Sequence, residues 1–381
     1  MEVTHSKIKE TNRKKIISLL LKETEITKLD ISKKLNISIT TVSTNINELI
    51  SEGLVKEVRS LKSTGGRKAI SFMIDENSRY SMGIALTANH IKISLVNLRG
   101  KVIDSIKIRH KNEGIEKIIE KIEENVQKIL YDNNVDIINL FGIGLSIPST
   151  VDYEAGTIKN CYFLNIKDFN IKERLKKFNV PVYVDNEANL SAYYEFLNKE
   201  NKPDNLLYVS ITEGIGLGII IDGKVYRGNN NSSGEMGHMK IVMNGKPCKC
   251  GGKGCLEAYT STNTLLEEYN NLTGLNCMDI DEFEEKYKLK DENAVKVLRE
   301  YLTTLSVGIS NLIMILDPKE IIIGGDINSL LKENIDYIRE NIYKNNLFTD
   351  ENNCNIQVAE YKESYLLGAA MVPIQEFLEI K

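Results

Sequence analysis

From Asn12 to Leu21 the apolar residues Ile16, Ile17, Leu19, Leu20 and Leu21 fall on one helical stripe. Thr27 is placed to cap a second helix, Lys28 to Leu35, with Asp30 filling the acid position of a capping box imperfectly. That helix is expected to bury Leu29, Ile31 and Leu35. Asn36 and Ile37 turn the chain. Ser38 then caps a third helix running to about Ser51, with Val42, Ile46, Leu49 and Ile50 inward. Its outward N-terminal residues are Thr40, Thr41, Ser43, Thr44 and Asn45. These short hydrogen-bonding side chains suit phosphate oxygens and base edges in a major groove. Gly53 ends the helix. Leu54 to Arg59 and Ala69 to Ile74 alternate as two strands around the basic tip Lys62-Ser63-Thr64-Gly65-Gly66-Arg67-Lys68. Residues 1–75 therefore read as a winged helix-turn-helix whose wing can put Arg67 into a minor groove.

Residues 76–381 carry a different rhythm. Three strand-like runs, Tyr80 to Thr87, Ile91 to Asn97 and Val102 to Ile108, precede an amphipathic helix from Gly114 to Leu130. Buried strands follow at Leu140 to Ile147 and Pro181 to Val184. A second series starts near Leu206: Leu206 to Thr212, Gly216 to Ile221, a tight Asp222-Gly223 turn and Lys224 to Arg227. A helical stretch from Ala294 to Leu316 leads to Ile321 to Ile323 and Gly324-Gly325-Asp326. Two β-β-β-α-β-α units in tandem describe the actin/hexokinase architecture, an α/β fold of ribonuclease H-like duplicated lobes with a ligand cleft between them.

Composition narrows the class. The chain has 381 residues, 42% hydrophobic and 27% charged, as a globular protein does. Its apolar runs are too short or interrupted for a membrane helix. The charged N-terminus shows no signal-peptide core, so a cytoplasmic location is expected. Residues 1–70 hold 14 Lys and Arg against 8 Asp and Glu, a balance of +6. That leaves −10 on the rest of a chain whose net charge is −4. A basic segment on an acidic body points to a polyanionic partner for the first part.

Three of six cysteines crowd into one stretch. Gly234-Glu235-Met236-Gly237-His238 is followed, nine residues later, by Cys248-Lys249-Cys250-Gly251-Gly252-Lys253-Gly254-Cys255. One imidazole and three thiolates make a closed tetrahedral set, the signature of structural zinc on His238, Cys248, Cys250 and Cys255. A closed set leaves no position for a reacting water, so no metal catalysis is expected. Cys161, Cys277 and Cys354 have no partner pattern.

With Leu256-Glu257 behind it, this knuckle resembles the zinc and sugar-binding region of the ROK family (repressors, open reading frames, sugar kinases). Gly214-Ile215-Gly216-Leu217-Gly218 resembles the family's second phosphate loop. Ile321 to Asp326 resembles its adenosine-side strand and turn, and Gly368-Ala369-Ala370 its C-terminal helix. Thr64 to Lys68 resembles the wing of the xylose-repressor branch. The resemblance covers nearly the whole chain.

It implies a monosaccharide site built from Asn186, Glu187, Glu235, His238 and Glu257, in which His238 holds zinc through one nitrogen and faces the sugar with the other. Such groups recognise hydroxyls and reject analogues lacking them. The kinase pattern is broken in two places. Where a kinase reads roughly Asp-x-Gly-Gly-Thr, this chain reads Ala85-Leu86-Thr87-Ala88-Asn89-His90, and Glu187 stands for the catalytic Asp. The expectation is a sugar-responsive, non-enzymatic transcriptional repressor of carbohydrate (xylose) utilisation. Operator DNA and a monosaccharide are its ligands, and a homodimer or homotetramer its assembly. The alternatives are an active ATP-dependent sugar kinase and a repressor under a protein partner.

Overall fold

The computed structural model describes residues 5–59, 70–111, 113–344 and 346–378. The chain divides into two compact units. One contains Met1–Leu145, Asn170–Val184 and Ala369–Lys381; the other contains Ser146–Phe169 and Asp185–Gly368.

The first unit opens with α1 (His5–Lys22), β1 (Ile26–Thr27), α2 (Lys28–Leu35), α3 (Ile39–Ser51), β2 (Val55–Arg59) and β3 (Ile70–Ile74). Both expected caps form: the Thr27 hydroxyl accepts from Asp30 N and the Ser38 hydroxyl from Thr41 N. The three strands order as β1-β3-β2, with Ile26 opposite Phe72 and Val55 opposite Ile74. Ile16, Ile17 and Leu20 of α1 pack with Ile31, Val42, Ile46, Leu49, Phe72 and Ile74. Leu29 is a correction, at 55% exposure. It lies two residues, about 200° of helix turn, from the buried Ile31. Ile50 is likewise exposed, at the margin of its stripe. Arg67 and the wing tip lie outside the described residues.

A meander follows: β4 (Tyr80–Leu86), β5 (His90–Asn97) and β6 (Val102–Arg109). Then come α4 (Ile115–Asp132) and β7 (Leu140–Ile147). Gly144 on β7 has no substitute, since a Cβ there would stand 1.9 Å from the Ala369 carbonyl oxygen. A small sheet of β8 (Thr150–Asp152), β9 (Thr157–Cys161) and β10 (Ile166–Asn170) is inserted before α5 (Ile171–Arg174) and β11 (Val182–Asn186).

The winged helix does not stand apart from this lobe. Its core is continuous with Val96 and Leu98, and with Ala370, Ile374 and Leu378 near the C-terminus. At the β5–β6 turn, Arg99 reaches the end of α1. Its guanidinium donates to the carbonyls of Leu21 at 2.5 Å, Glu23 at 2.9 Å and Leu20 at 3.4 Å. Carbonyls at a helix C-terminus have no partner within the helix, so a cation there satisfies them and meets the negative end of the dipole.

The second unit is built on α6 (Glu187–Leu197), β12 (Asn205–Ile211), β13 (Ile215–Ile221), β14 (Lys224–Val225), α7 (Glu257–Thr260), α8 (Thr262–Thr273) and α9 (Ile280–Lys288). Then follow α10 (Glu292–Leu316), β15 (Glu320–Gly325), α11 (Asn328–Tyr343) and β16 (Asn355–Val358); α12 (Ser364–Leu378) starts here, and from Ala369 onward it belongs to the first unit. Its sheet runs β16-β15-β12-β13-β14, and the first unit's runs β11-β7-β4-β5-β6. Counted along each unit's own chain, both orders are fifth, fourth, first, second, third. The duplication is thus visible in the strand order itself. Among the described residues, no helix is long and apolar enough to cross a membrane.

Candidate functional site

The site begins where β11 runs into α6. Asn186 caps that helix, its Oδ1 accepting from Ala188 N at 2.8 Å, while its Nδ2 donates to the Ser149 carbonyl at 3.2 Å. Glu187, the first residue of α6, is buried. Burial pushes its carboxyl up to about 7, and the nearby charge of Glu235 pushes the same way. The Ser210 hydroxyl and the Ala188 backbone oppose them. The glycine series on β13 faces these groups. A Cβ on Gly216 would meet Glu187 Oε1 at 3.3 Å, one on Gly218 the Ala188 carbonyl at 2.1 Å, and one on Gly214 Glu257 Oε2 at 2.6 Å. Close approach of α6 and Glu257 therefore accounts for the glycines without a phosphate.

Glu235 accepts from the Thr150 hydroxyl at 3.3 Å, and its other oxygen stands 4.0 Å from His238 Nε2. Glu257, opening α7, accepts from Ile215 N at 3.3 Å, and its second oxygen is 4.0 Å from Cys248 Sγ. The structure thus brings Asn186, Glu187, Glu235, His238 and Glu257 onto neighbouring segments of one unit. The sequence missed Thr150, and no local motif marks it.

His238 Nδ1 points the other way, to Cys248 Sγ at 3.6 Å, and Cys250 Sγ lies 3.7 Å from Cys255 Sγ. The four ligand atoms lie within 4.8 Å of one another. A tetrahedral zinc with bonds of about 2.3 Å to sulfur and about 2.0–2.1 Å to nitrogen would set S···S near ~3.8 Å and S···N near ~3.6 Å. The donor set therefore fits a metal ion of that size. Burial and the neighbouring thiols push Cys255 up to about 12, so a bound cation is what would favour its thiolate.

The first-loop region has closed on itself. Ala85 is buried near the end of β4. Thr87 N donates to the His90 carbonyl at 2.9 Å and His90 N to the Thr87 hydroxyl at 3.1 Å, tying Thr87 to His90 as a tight turn. At the second loop stands Glu213, whose carboxyl is raised by burial, lowered by Lys249 and raised by Asp326.

On α3, Thr40 and Thr44 are exposed and Thr41 and Ser43 half-buried. Asn45 is a correction: it is 1% exposed, and its Nδ2 donates to the Thr41 carbonyl at 2.8 Å. It bonds its own helix from the inward face and does not face outward. The exposed neighbour is Asn47, which accepts from Lys28 Nζ at 3.1 Å.

Residues 81–376 match the family described as "ROK family", and residues 9–56 match "Winged helix-turn-helix DNA-binding". The chain is 31% identical, over 98% of both chains, to the "Putative xylose repressor" of Caldicellulosiruptor sp. strain Rt8B.4. It is 30% identical to the "Xylose repressor" of Bacillus subtilis strain 168, over 84% of this chain and 83% of that one. A crystal structure described as a ROK family transcriptional regulator, homolog of the E. coli MLC protein, superposes with a TM-score of 0.83 at 24% identity, covering 97% of this chain and 96% of that one. The larger part has the fold of hexokinase-like ROK sugar kinases, and the protein is a member of the ROK family with an N-terminal winged helix-turn-helix.

Proposed function

We propose that this protein is a transcriptional repressor of carbohydrate utilisation genes that binds operator DNA through residues 1–75 and is released by a monosaccharide held by residues 76–381. The observation that carries this reading is a hydroxyl-recognising set in one unit of a chain whose first-loop segment, Thr87 to His90, is a tight turn without the kinase residues. Asn186, Glu187, Glu235, His238 and Glu257 supply both acceptors and donors. Ala85 offers no carboxylate to organise a metal on phosphate. Recognition without transfer is what a sensor needs. The names of the relatives make D-xylose the first sugar to test. In this reading zinc on His238, Cys248, Cys250 and Cys255 has a structural role, holding the segment that carries Glu235 and Glu257. DNA contacts come from Thr40, Thr41, Ser43 and Thr44, with Arg67 on the wing. A cytoplasmic dimer matches a pseudo-palindromic site, because one helix reads only a few base pairs.

Fluorescence anisotropy on duplexes from the promoters of xylose genes, with and without D-xylose, tests it. Weakening of DNA binding by about 5–150-fold is expected, the span of ordinary coupling energies. Equal affinity across a panel of monosaccharides would overturn the sensor reading. Sugar-dependent ATP consumption would make the protein a kinase.

A further inference from the structure

We propose that Arg227 is a positioning residue of the sugar site: its ion pair with Asp185, seated on the Tyr153 ring, holds together the three segments that carry Thr150, Asn186 with Glu187, and Glu235. The inference rests on the sugar-site reading above, and it names a brace that neither the motifs nor the relatives point to.

The geometry is specific. Arg227 Nε and Nη2 both reach Asp185 Oδ2, at 3.0 and 2.5 Å. The guanidinium carbon stands 3.9 Å from the centre of the Tyr153 ring. The Asp185 side chain is 4% exposed. Its other oxygen accepts from Asn186 N at 2.8 Å and Asn189 Nδ2 at 2.9 Å. One carboxylate thus ties Arg227 to the start of α6, the turn that presents Asn186 and Glu187. Tyr153 follows directly on β8, which carries Thr150. Arg227 itself starts a short closed loop. Its carbonyl accepts from Ser233 N at 3.2 Å, the Ser233 hydroxyl donates to the Tyr226 carbonyl at 2.6 Å, and the Gly234 carbonyl accepts from Leu217 N at 2.9 Å. Glu235 is the next residue.

A buried ion pair adds little net stability over an apolar pair of the same size. Its value here is geometric, because it sits where three segments far apart in sequence meet. The side chain chosen agrees. A planar guanidinium can grip a carboxylate with one edge while its face lies on a ring, and a lysine ammonium cannot do both.

The test is hydrogen exchange of the full-length protein, comparing wild type with Arg227→Met, Arg227→Lys and the double variant Asp185→Asn/Arg227→Met. Arg227→Met should raise exchange roughly tenfold or more in peptides covering 149–153, 185–189 and 227–235, and leave the α8 to α11 region unchanged. The double variant removes the unpaired buried charge and should recover the melting temperature. It should not recover the local protection. Arg227→Lys should fall between and serves if Arg227→Met does not fold. Calorimetry with D-xylose on the same proteins should show affinity loss tracking exchange. Wild-type protection in the double variant, or no local rise in any variant, overturns the positioning role. Failure of the wild type to bind D-xylose would count against the sugar reading alone, and the exchange pattern would still decide the brace.

Discussion

Replacing Glu187 with glutamine is expected to stabilise the protein above neutral pH and to flatten the pH dependence of its stability. The Glu187 carboxyl is raised from an ordinary 4.5 to about 7, first by burial and then by the charge of Glu235. In the unfolded chain the group releases its proton near 4.5; in the folded protein it keeps the proton until about 7. Between those values the folded state binds more protons than the unfolded state, so stability falls as pH rises. It is fully present below about 4.5 and lost by about 7. The gap of roughly 2.5 powers of ten in proton affinity is on the order of 3 kcal/mol. Glutamine has nearly the same shape, still accepts from the Ser210 hydroxyl and carries no charge at any pH. Chemical denaturation of wild type and Glu187→Gln between about pH 5 and pH 8 should give curves that separate with rising pH, the variant being the more stable by a few kcal/mol at the upper end. Parallel curves, or a variant less stable at about pH 8, would refute the argument that burial governs this carboxylate.

Protein purified without added metal should contain one zinc per chain, and Cys255→Ser should lose it together with sugar binding; a metal-free preparation that binds sugar normally would contradict the structural role. Thr40→Ala with Thr44→Ala should weaken operator binding and leave the melting temperature unchanged. Asn45→Ala should do the reverse, costing on the order of 1 kcal/mol of stability with DNA affinity kept, because its amide bonds the Thr41 carbonyl inside the domain. Arg99→Ala leaves three carbonyls at the end of α1 without their donor. It should make α1 exchange faster than β4, and equal protection in both would show that the contact carries no weight.

The elements of the winged helix were legible because caps and apolar stripes are local. Thr27, Ser38 and Gly53 stand at the boundaries that their side chains or backbone freedom require. Asn45 shows where residue type misleads. An asparagine looks like a surface group, yet it falls between Val42 and Ile46 on the buried side of α3. Helical period was the better guide. The grouping of Cys248, Cys250 and Cys255 was legible from spacing, since the stretch is too short to place its thiols elsewhere, and His238 joins them in the structure. Arg227, Asp185 and Tyr153 were not legible. They lie 32 or more residues apart, and nothing local marks one as another's partner. The duplication was legible as two β-β-β-α-β-α series in tandem, whereas the order of strands within each sheet depends on pairings between distant segments that no local pattern marks.

The core that runs from Ile16 and Leu20 through Phe72 to Val96, Leu98, Ile374 and Leu378 bears on how such repressors could be recombined. A chimera that exchanges only residues 1–75 would set a foreign reader on a socket shaped by the host's β5–β6 turn and last helix. It would strand Arg99 opposite carbonyls it was not placed for and leave apolar residues without their counterparts. The transplantable part is therefore discontinuous. It consists of the reader, the Asn97 to Gly100 turn and the end of the C-terminal helix, carried together. New operator specificity by domain shuffling is correspondingly harder to reach than by substitution along the exposed side of α3.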